Sequence, residues 1–311
     1  MKTLLKKILP FFVLGFIQVS MGQSSDELIG KWDLNVTMGK TQLPSWLEVK
    51  LSGNSTLVGH FVGHSGSARP ISEVHFHEGV FDFSIPPQWD GKNDMHLSGT
   101  LKDGKLTGTL LSSLGTAHTF TGSPAPALDR TAPKAWGKSQ AIFNGKDLSG
   151  WTPQTEQRTN QWTVEEGILK SPRSGVNLLS SSSYEDFKLH IEVRYPEHSN
   201  SGIYLRGRYE VQVEDSHGKA PSNILFGGIY GFLCPNEMAA HPAGEWQVFD
   251  ITLVGRRVSI EANGKKIITD QIIPGITGGA LNSDEAAPGP FMLQGDHGPV
   301  EYRNISIQLP Q

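Results

Sequence analysis

The sequence predicts an all-β protein with two domains. Short runs with period-two alternation are separated by glycine-rich turns, and the chain of 311 residues contains 35 glycines. No amphipathic helical pattern extends beyond two turns. A proline-dense stretch near the middle divides the alternating runs into two groups, and prolines at that density do not join the interior of a sheet.

The N-terminal 22 residues have the pattern of a secretory signal peptide. Lys2, Lys6 and Lys7 precede an apolar run over residues 8–19, and small residues lead up to Gly22. The apolar run is too short to cross a bilayer, so we expect no membrane span after cleavage. The pattern predicts a secreted or periplasmic protein.

The charge of the chain argues against nucleic acid as a partner. Its 27 basic and 31 acidic residues give a net charge of −4, and removal of three lysines with the leader changes these numbers to 24 and 31, a net charge of −7. Phosphate binding requires clustered Lys and Arg, which are absent here, whereas neutral sugars do not need them. Cys234 is the single cysteine; we expect it to be a small packing residue.

The first domain is expected over residues 26–122. Seven or eight strands with turns between neighbours predict a small antiparallel barrel or sandwich, and the Gly30-Lys31-Trp32 opening loosely resembles lipocalins. Its clearest hairpin turns at Asp103-Gly104, a pair favoured where both turn residues need positive φ. His75 and His77 share one strand face; we interpret them as part of a solvated face rather than as metal ligands. A Pro-rich linker is expected over residues 123–139.

The second domain, residues 140–311, presents an unusual polar face on two consecutive predicted strands. Ile203 and Leu205 are expected to face the core, as are Tyr209, Val211 and Val213. The alternate positions are Tyr204, Arg206, Glu210, Gln212 and Glu214. Such alternation is usually an ordinary solvated face, but these groups suit the recognition of hydroxyls better than the Lys, Ser and Thr of most solvated faces.

A short loop near the C-terminus carries an acid and an imidazole. Asp296 and His297 lie in Gly295-Asp296-His297-Gly298, between two predicted strands. Loops held by a rigid sheet are common positions for catalytic groups. The alternative is a turn in which Asp296 caps its own backbone and His297 is simply exposed.

Several motifs, in order, resemble the 3-keto-disaccharide hydrolase domain family over about residues 141–309. The resemblance does not include the first domain. It implies a concanavalin-like jelly-roll sandwich in an exported bacterial hydrolase that acts on glycosyl bonds and cleaves 3-keto-glycosides. The motifs are Phe143-Asn144-Gly145-Lys146-Asp147-Leu148-Ser149-Gly150-Trp151, Asn200-Ser201-Gly202-Ile203-Tyr204-Leu205-Arg206-Gly207, Tyr209-Glu210-Val211-Gln212-Val213-Glu214-Asp215, Gly244-Glu245-Trp246, Gln294-Gly295-Asp296-His297-Gly298 and Arg303-Asn304-Ile305.

The implied reaction requires a base for the C2 proton, a group for the enolate oxygen and a proton donor for the leaving group. Glu210 and His297 are the candidates for base and acid, and Arg206 is the candidate for the oxyanion. A divalent metal bridged by Glu214 or Asp296 could replace Arg206, so the cofactor is left open. The expected substrate-binding residues are Asn200, Tyr204, Gln212, Glu214, Gln294, Asp296 and Arg303.

Two other functions are compatible with the sequence. One is a jelly-roll glycoside hydrolase acting on unoxidised glycans, with Glu210 and Glu214 as its carboxylate pair. Their Cα atoms would be ~13 Å apart, so the side chains would have to converge to the ~5 Å of a retaining mechanism. The other is a non-catalytic glycan-binding module. All three functions take a neutral oligosaccharide or glycoside.

Overall fold

The computed structural model describes residues 25–89 and 91–311, whose regular secondary structure consists of β-strands apart from a short 3-10 turn at Ser25–Glu27. The expected signal peptide lies outside the described residues. Within the described ranges, no helix has the length and apolarity needed to cross a membrane. The strands there are β1 Gly30–Met38, β2 Thr41–Ser52, β3 Thr56–Val62, β4 Arg69–His77, β5 Val80–Ile85, β6 Met95–Lys102, β7 Lys105–Leu111, β8 Ala117–Pro124, β9 Gln140–Ala141, β10 Trp151–Pro153, β11 Thr163–Glu165, β12 Ile168–Ser171, β13 Leu178–Tyr184, β14 Phe187–Arg194, β15 Asn200–Leu205, β16 Tyr209–Glu214, β17 Gln247–Val254, β18 Arg257–Ala262, β19 Lys265–Ile272, β20 Gly289–Leu293 and β21 Val300–Gln308.

The first eight strands form a closed antiparallel barrel. Each strand pairs with the next along the chain, and β8 pairs with β1 to complete the cylinder. The predicted hairpin joins β6 to β7, and Asp103 and Gly104 take φ values of +51° and +69°, as the sequence pattern required. Alternate side chains such as Phe81 and Phe83 fill the interior. Of the two predicted alternatives, the barrel is therefore correct.

The remaining strands form the predicted jelly-roll sandwich. One sheet has the strand order β10-β13-β20-β15-β16; the other has the order β11-β12-β21-β14-β17-β18-β19, with β9 paired to β21. Strand β14 buries every second residue, as its sequence predicted. Phe187 of β14 meets Phe291 of β20 edge to face, with ring centroids 4.8 Å apart, so the core lies between the two sheets.

The segment between barrel and sandwich lies along the sandwich. Residues 125–139 form no strand or helix, in keeping with their prolines. Arg130 makes ion pairs with Glu185 and Asp186, and the backbone N–H of Gly137 donates to the carbonyl of Leu309. These contacts hold the segment against the sandwich.

The barrel docks onto the sandwich through β2, which is buried on both of its faces over its central residues. Leu47 and Val49 point into the barrel interior. On the other face, Trp46 enters the sandwich core and meets the ring of Phe232 at 5.3 Å. A Cβ at Gly275 would overlap the Trp46 ring, so a glycine is required for the two units to approach this closely.

Two smaller expectations have different outcomes. Cys234 is exposed, so the expectation that it is a packing residue is wrong. Its neighbour Pro235 occupies the buried position. His75 and His77 lie on a solvated face as interpreted: His75 hydrogen-bonds Asp82 at 3.2 Å, and the side chain of His77 is 88% exposed.

A buried pair of carboxyl groups lies where the barrel meets the sandwich. Asp33 of β1 hydrogen-bonds Glu285, which accepts further hydrogen bonds from Arg256 at 2.6 Å and from the Tyr209 hydroxyl at 2.5 Å. Burial raises the pKa of Asp33 far above its ordinary value, and the charge of Glu285 raises it further; Arg256 and Arg208 oppose this. Asp33 is therefore protonated when the barrel is docked.

Replacing Asp33 with Asn should stabilise the protein increasingly as the pH rises. In the unfolded chain Asp33 loses its proton near pH 4, whereas the folded protein retains it to much higher pH, so the wild type loses stability as the pH rises above the unfolded-state value. An amide keeps the donor to Glu285 and does not titrate. We expect a gain of about 1–3 kcal/mol at pH 8 and little gain at pH 4, measured by thermal or urea denaturation.

The exposed Asp94 provides the matched control on the same barrel. Asp94→Asn should show no such trend. An Asp33→Asn variant that is equally destabilised at all pH values would contradict the protonated pair.

Candidate active site

A polar cavity of about 350 Å³ lies between the five-stranded sheet and the barrel. Its volume is within the range of about 300–1,000 Å³ typical of small-molecule sites. The sandwich supplies most of the wall, and the barrel closes one side. The lining residues are Leu43, Pro44, His64, Ser65, Gly66 and Trp89 from the barrel, and Gln154, Asn177, Asn200, Tyr204, Glu210, Gln212, Tyr230, Gly278, Gly279, Ala280, Gln294, Asp296 and His297 from the sandwich.

The floor of the cavity is formed by the outward face of β15 and β16. These strands pair with Tyr204 opposite Glu210 and Gly202 opposite Gln212, so period-two alternation places all four on the same face. Gly202 lies next to Glu210 on this face, and an added Cβ at Gly202 would overlap the carboxylate oxygen Oε1 of Glu210. Glycine at this position therefore leaves the space that the Glu210 carboxylate occupies.

Glu210 is the strongly perturbed acid of the site. Its side chain is buried beneath the barrel, and this loss of solvation raises its pKa to about 8. A hydrogen bond from Tyr204 and the charge of His297 act in the opposite direction, while Asp296 adds a further small increase. A carboxyl group with a pKa near neutrality can both take and give a proton.

Two tyrosines lie beside this carboxyl group. The Tyr204 hydroxyl lies 2.9 Å from the carbonyl of Gly278 and also within hydrogen-bonding reach of Glu210, so its single proton is donated to one of these two acceptors at a time. Burial raises the pKa of Tyr204 and of the half-buried Tyr230, and the charge of Glu210 raises both further. Both phenols therefore remain neutral hydrogen-bond donors at physiological pH.

The Asp296-His297 loop supplies an imidazole at the rim of the cavity. The Nδ1 atom of His297 lies 2.7 Å from a carboxylate oxygen of Asp296, and the His297 side chain is 51% exposed. The hydrogen bond that His297 donates to the Asp296 carboxylate raises the pKa of His297, because it stabilises the protonated imidazolium. The predicted loop therefore brings the imidazole to the cavity.

Two buried amide oxygens in the cavity are available as acceptors. The Oε1 atoms of Gln212 and Gln294 have no hydrogen-bond partner among the described residues. Buried polar atoms are normally paired, so an unpartnered acceptor that lines a cavity is suited to a hydroxyl of a ligand. Asn177 connects this region to the His297 loop, since it accepts a hydrogen bond from the backbone N–H of Gly295 at 2.9 Å.

The sandwich matches a known family along most of its length. Residues 138–308, more than half of the chain, match the 3-keto-alpha-glucoside-1,2-lyase-like domain. The chain belongs to this family. The resemblance inferred from the motifs is thereby confirmed, and family membership assigns the protein a carbohydrate hydrolase-like role.

Solved structures of related folds include putative glycosyl hydrolases from Parabacteroides distasonis. One is 27% identical, with 58% of this chain and 92% of that chain covered and a TM-score of 0.47. Another is 23% identical, with 55% and 98% covered and a TM-score of 0.43. A third is 18% identical, with 55% and 93% covered and a TM-score of 0.45. No curated protein matches the chain.

Most of the predicted site residues meet in this one cavity. The structure brings together Glu210, His297, Asn200, Tyr204, Gln212, Gln294 and Asp296. Glu214 continues the same strand face but lies outside the cavity lining, and its side chain is 28% exposed and 3.8 Å from Lys219. The structure therefore does not place Glu214 among the lining residues, and it lies next to Gln212, whose Nε2 atom is 3.5 Å from its carboxylate.

Arg206 is also outside the cavity, in contrast to its predicted role at the oxyanion. It adopts a left-handed conformation, φ +53°, in the turn between β15 and β16, so the period-two alternation ends before it. Its guanidinium donates to the Tyr209 hydroxyl at 3.0 Å and to the carbonyl of Gly255 at 2.9 Å. These contacts belong to the buried network around Glu285, away from Glu210.

Arg303 lies on the other sheet and does not reach the cavity. Its strand, β21, belongs to the eight-stranded sheet, where Arg303 makes an ion pair with Glu192 at 2.7 Å. The guanidinium stacks 4.0 Å from the ring centroid of Trp246. The structure therefore places Arg303 in an ion pair and a stacking contact on the eight-stranded sheet, and does not bring it to the cavity.

Tyr230 and the barrel residues of the cavity were not among the predicted site residues. Tyr230 follows Gly227-Gly228-Ile229, and its backbone N–H donates to the carbonyl of Glu210 at 3.0 Å. A glycine-rich segment with one aromatic residue directly after a polar strand was the available signal for this loop. No pattern in the barrel sequence predicted that His64 and Trp89 would face a cavity of the sandwich.

The described ranges 25–89 and 91–311 contain no group of three or more His, Cys, Asp or Glu side chains arranged to hold a metal ion. Of the two alternative ligands that the sequence offered for a metal, Glu214 or Asp296, Asp296 lines the cavity and Glu214 does not.

Replacing Tyr204 with Phe should raise the pKa of Glu210 above about 8. The Tyr204 hydroxyl stabilises the ionised carboxylate, so removing its hydrogen bond favours the protonated form. Carbon-13 NMR titration of the Glu210 carboxyl measures this shift directly. Tyr302→Phe is the control, because Tyr302 is equally buried but its hydroxyl pairs with Ser201 at 2.8 Å. Equal shifts in the two variants, or a decrease for Tyr204→Phe, would contradict the assignment.

Proposed function

We propose that this protein cleaves 3-keto-glycosides by removing the proton at C2, eliminating the C1 substituent and then adding water to the product. The observation that carries the proposal is Glu210, a buried carboxyl group with a pKa raised to about 8 at the floor of a polar cavity. Family membership supports the same class of substrate.

Glu210 is the base in this proposal. A ketone at C3 acidifies the neighbouring C2–H bond, because loss of the proton gives an enolate. A carboxylate whose conjugate acid has a pKa of about 8 is a stronger base than an ordinary glutamate. At neutral pH a fraction of the protein molecules has Glu210 in this ionised form. The oxidised ring then lies on the floor of the cavity, with C2 next to the carboxylate.

Tyr230 stabilises the enolate oxygen in place of Arg206. It lines the cavity and lies close enough to Glu210 for the carboxylate charge to raise its pKa. A neutral phenol in a desolvated site is an effective donor to a developing oxyanion. Tyr204, which lies opposite Glu210 in the strand pair, positions the Glu210 carboxylate through a hydrogen bond.

His297 is the acid that protonates the leaving group. As the enolate collapses, the C3 carbonyl reforms, a C1–C2 double bond forms and the C1–O bond breaks, while the imidazolium gives its proton to the departing oxygen. His297 suits this role because the hydrogen bond to Asp296 raises its pKa and its position at the rim is open to solvent.

Hydration then restores both groups. Water adds its oxygen to C1 of the enone, His297 takes the proton released from that water, and Glu210 returns its proton to C2. The net reaction is hydrolysis of the glycosidic bond, with both side chains returned to their initial protonation states.

The remaining polar residues suit a neutral sugar. Asn200 and the unpartnered oxygens of Gln212 and Gln294 are available for ring hydroxyls. We further propose that the protein acts outside the cytoplasm, on the pattern of its first 22 residues.

Direct displacement on an unoxidised glycan is less well supported. It requires two carboxylates on either side of one bond, and Glu214 lies outside the cavity that contains Glu210. A glycan-binding module would have no need of a buried acid with a perturbed pKa.

The test is product release from 3-keto-trehalose and from unoxidised trehalose at about pH 8, followed by chromatography. We expect glucose from the keto form alone. Hydrolysis of the parent sugar would contradict the elimination mechanism, and binding of either sugar without release would support a binding module instead.

Glu210→Gln and Glu214→Gln form a matched pair of variants on one strand. The amide at position 210 resembles the protonated acid in shape and charge, so the variant should fold, but its turnover should fall about 10²–10⁴-fold because the base is gone. Glu214→Gln should remain within a few-fold of the wild type. Similar losses in both variants would remove Glu210 from its proposed role.

A further inference from the structure

The barrel contributes a large aromatic surface to the cavity. Trp89 lies in the loop between β5 and β6, and its side chain is 62% exposed. It is the one aromatic residue of the barrel among the described lining residues of the cavity. Exposed tryptophans are uncommon on soluble proteins, and one at the mouth of a polar cavity presents a flat face to a ligand.

The loop that carries Trp89 is fixed to its neighbours. The Gln88 side chain accepts a hydrogen bond from the Ser67 backbone N–H at 3.2 Å and donates to the Ser67 hydroxyl at 2.9 Å. Arg69 donates to the carbonyl of Pro86 at 2.5 Å. The ring of Trp89 lies over Gly66, where an added Cβ would be 3.1 Å from the ring.

The neighbouring barrel loop between β3 and β4, which contains Gly66, contacts the reacting end of the site. A Cβ at Gly278 would overlap the backbone of Gly66, so the barrel segment at Gly66 and the sandwich segment at Gly278 are in direct contact. The carbonyl of Gly278 lies within hydrogen-bonding distance of the Tyr204 hydroxyl. The same hydroxyl is within hydrogen-bonding reach of Glu210. Trp89 is therefore held at a fixed position relative to the carboxylate through a short series of packed groups.

We propose that Trp89 forms the subsite for the leaving group and makes the enzyme select glycosides whose leaving group is a sugar or another ring. This inference rests on the proposed function, which places the oxidised ring on Glu210. Because Glu210 is buried at the floor, the rest of the substrate lies toward the rim, where Trp89 offers its face. The apolar face of a second sugar ring stacks there and loses contact with water.

The experiment compares two ligands in the Glu210→Gln protein, which binds without turnover. Calorimetry gives the dissociation constants of 3-keto-trehalose and of methyl 3-keto-α-glucoside, with and without the further change Trp89→Ala. We expect about tenfold weaker binding of 3-keto-trehalose, the change expected when roughly 55 Å² of apolar surface is no longer removed from water. Binding of the methyl glucoside should change less than about twofold, because its leaving group has no ring to stack.

Leu51→Ala provides the matched control. Leu51 is an exposed apolar residue on β2, ~26 Å along the strand from Leu43 at the cavity, and should affect neither ligand. Equal losses for both ligands on Trp89→Ala, unchanged binding of 3-keto-trehalose, or no binding of either ligand would overturn the inference. If the wild-type protein bound both ligands but released no product from either, the proposed elimination reaction would be contradicted. The change in the two dissociation constants on Trp89→Ala would still decide whether Trp89 binds the leaving group.

Discussion

The close docking of the barrel on the sandwich determines the character of the candidate site. The outward face of β15 and β16 would be a solvated sheet face in an isolated sandwich. Here the barrel covers it, with Trp46 inserted beside Gly275 and the Gly66 loop in contact with Gly278. Glycines at these positions permit the approach, because a side chain at either one would overlap the opposite unit. Glu210 lies at the floor of this covered cavity, where burial raises its pKa to about 8.

This arrangement has a thermodynamic cost at the same interface. Asp33 and Glu285 are buried where the barrel and sandwich meet, with Arg256 as their cationic partner. Burial of ionisable groups opposes folding unless they are paired and hydrogen-bonded, and here one carboxyl group retains its proton. Unpartnered acceptors in the cavity, such as the amide oxygen of Gln294, add to the cost. Natural proteins tolerate such features mainly near functional sites.

Local periodicity predicted the parts of the site that belong to one strand face. Alternation along β16 placed Glu210 and Gln212 together and Val211 in the core, as the structure has them. It failed at Arg206, because a turn residue in the left-handed conformation does not continue the alternation of the strand before it. It failed at Arg303 for a different reason: a strand pattern does not specify which sheet the strand will join.

The contribution of the barrel could not be predicted, because it depends on contacts between residues far apart in the sequence. Apolar and polar residues alternate along β2 as they do along β1. The local sequence around Trp46 on β2 does not show that this residue enters the sandwich core, whereas Trp32 on β1 packs in the barrel core. Likewise, the resemblance to a known family ended at the sandwich and gave no information on Trp89 or His64. The predicted fold of each unit was correct, but the site is formed by both.

The pKa of Glu210 in a Gly275→Val variant tests most directly whether docking of the barrel creates the site. The backbone of Gly275 does not adopt a left-handed conformation, so valine is excluded only by its contact with Trp46 and should loosen the docked barrel without straining the loop itself. Carbon-13 NMR titration should then give a pKa for Glu210 well below 8, toward the ordinary value of about 4.3. A pKa that remains near 8 after the barrel has been displaced would contradict the account.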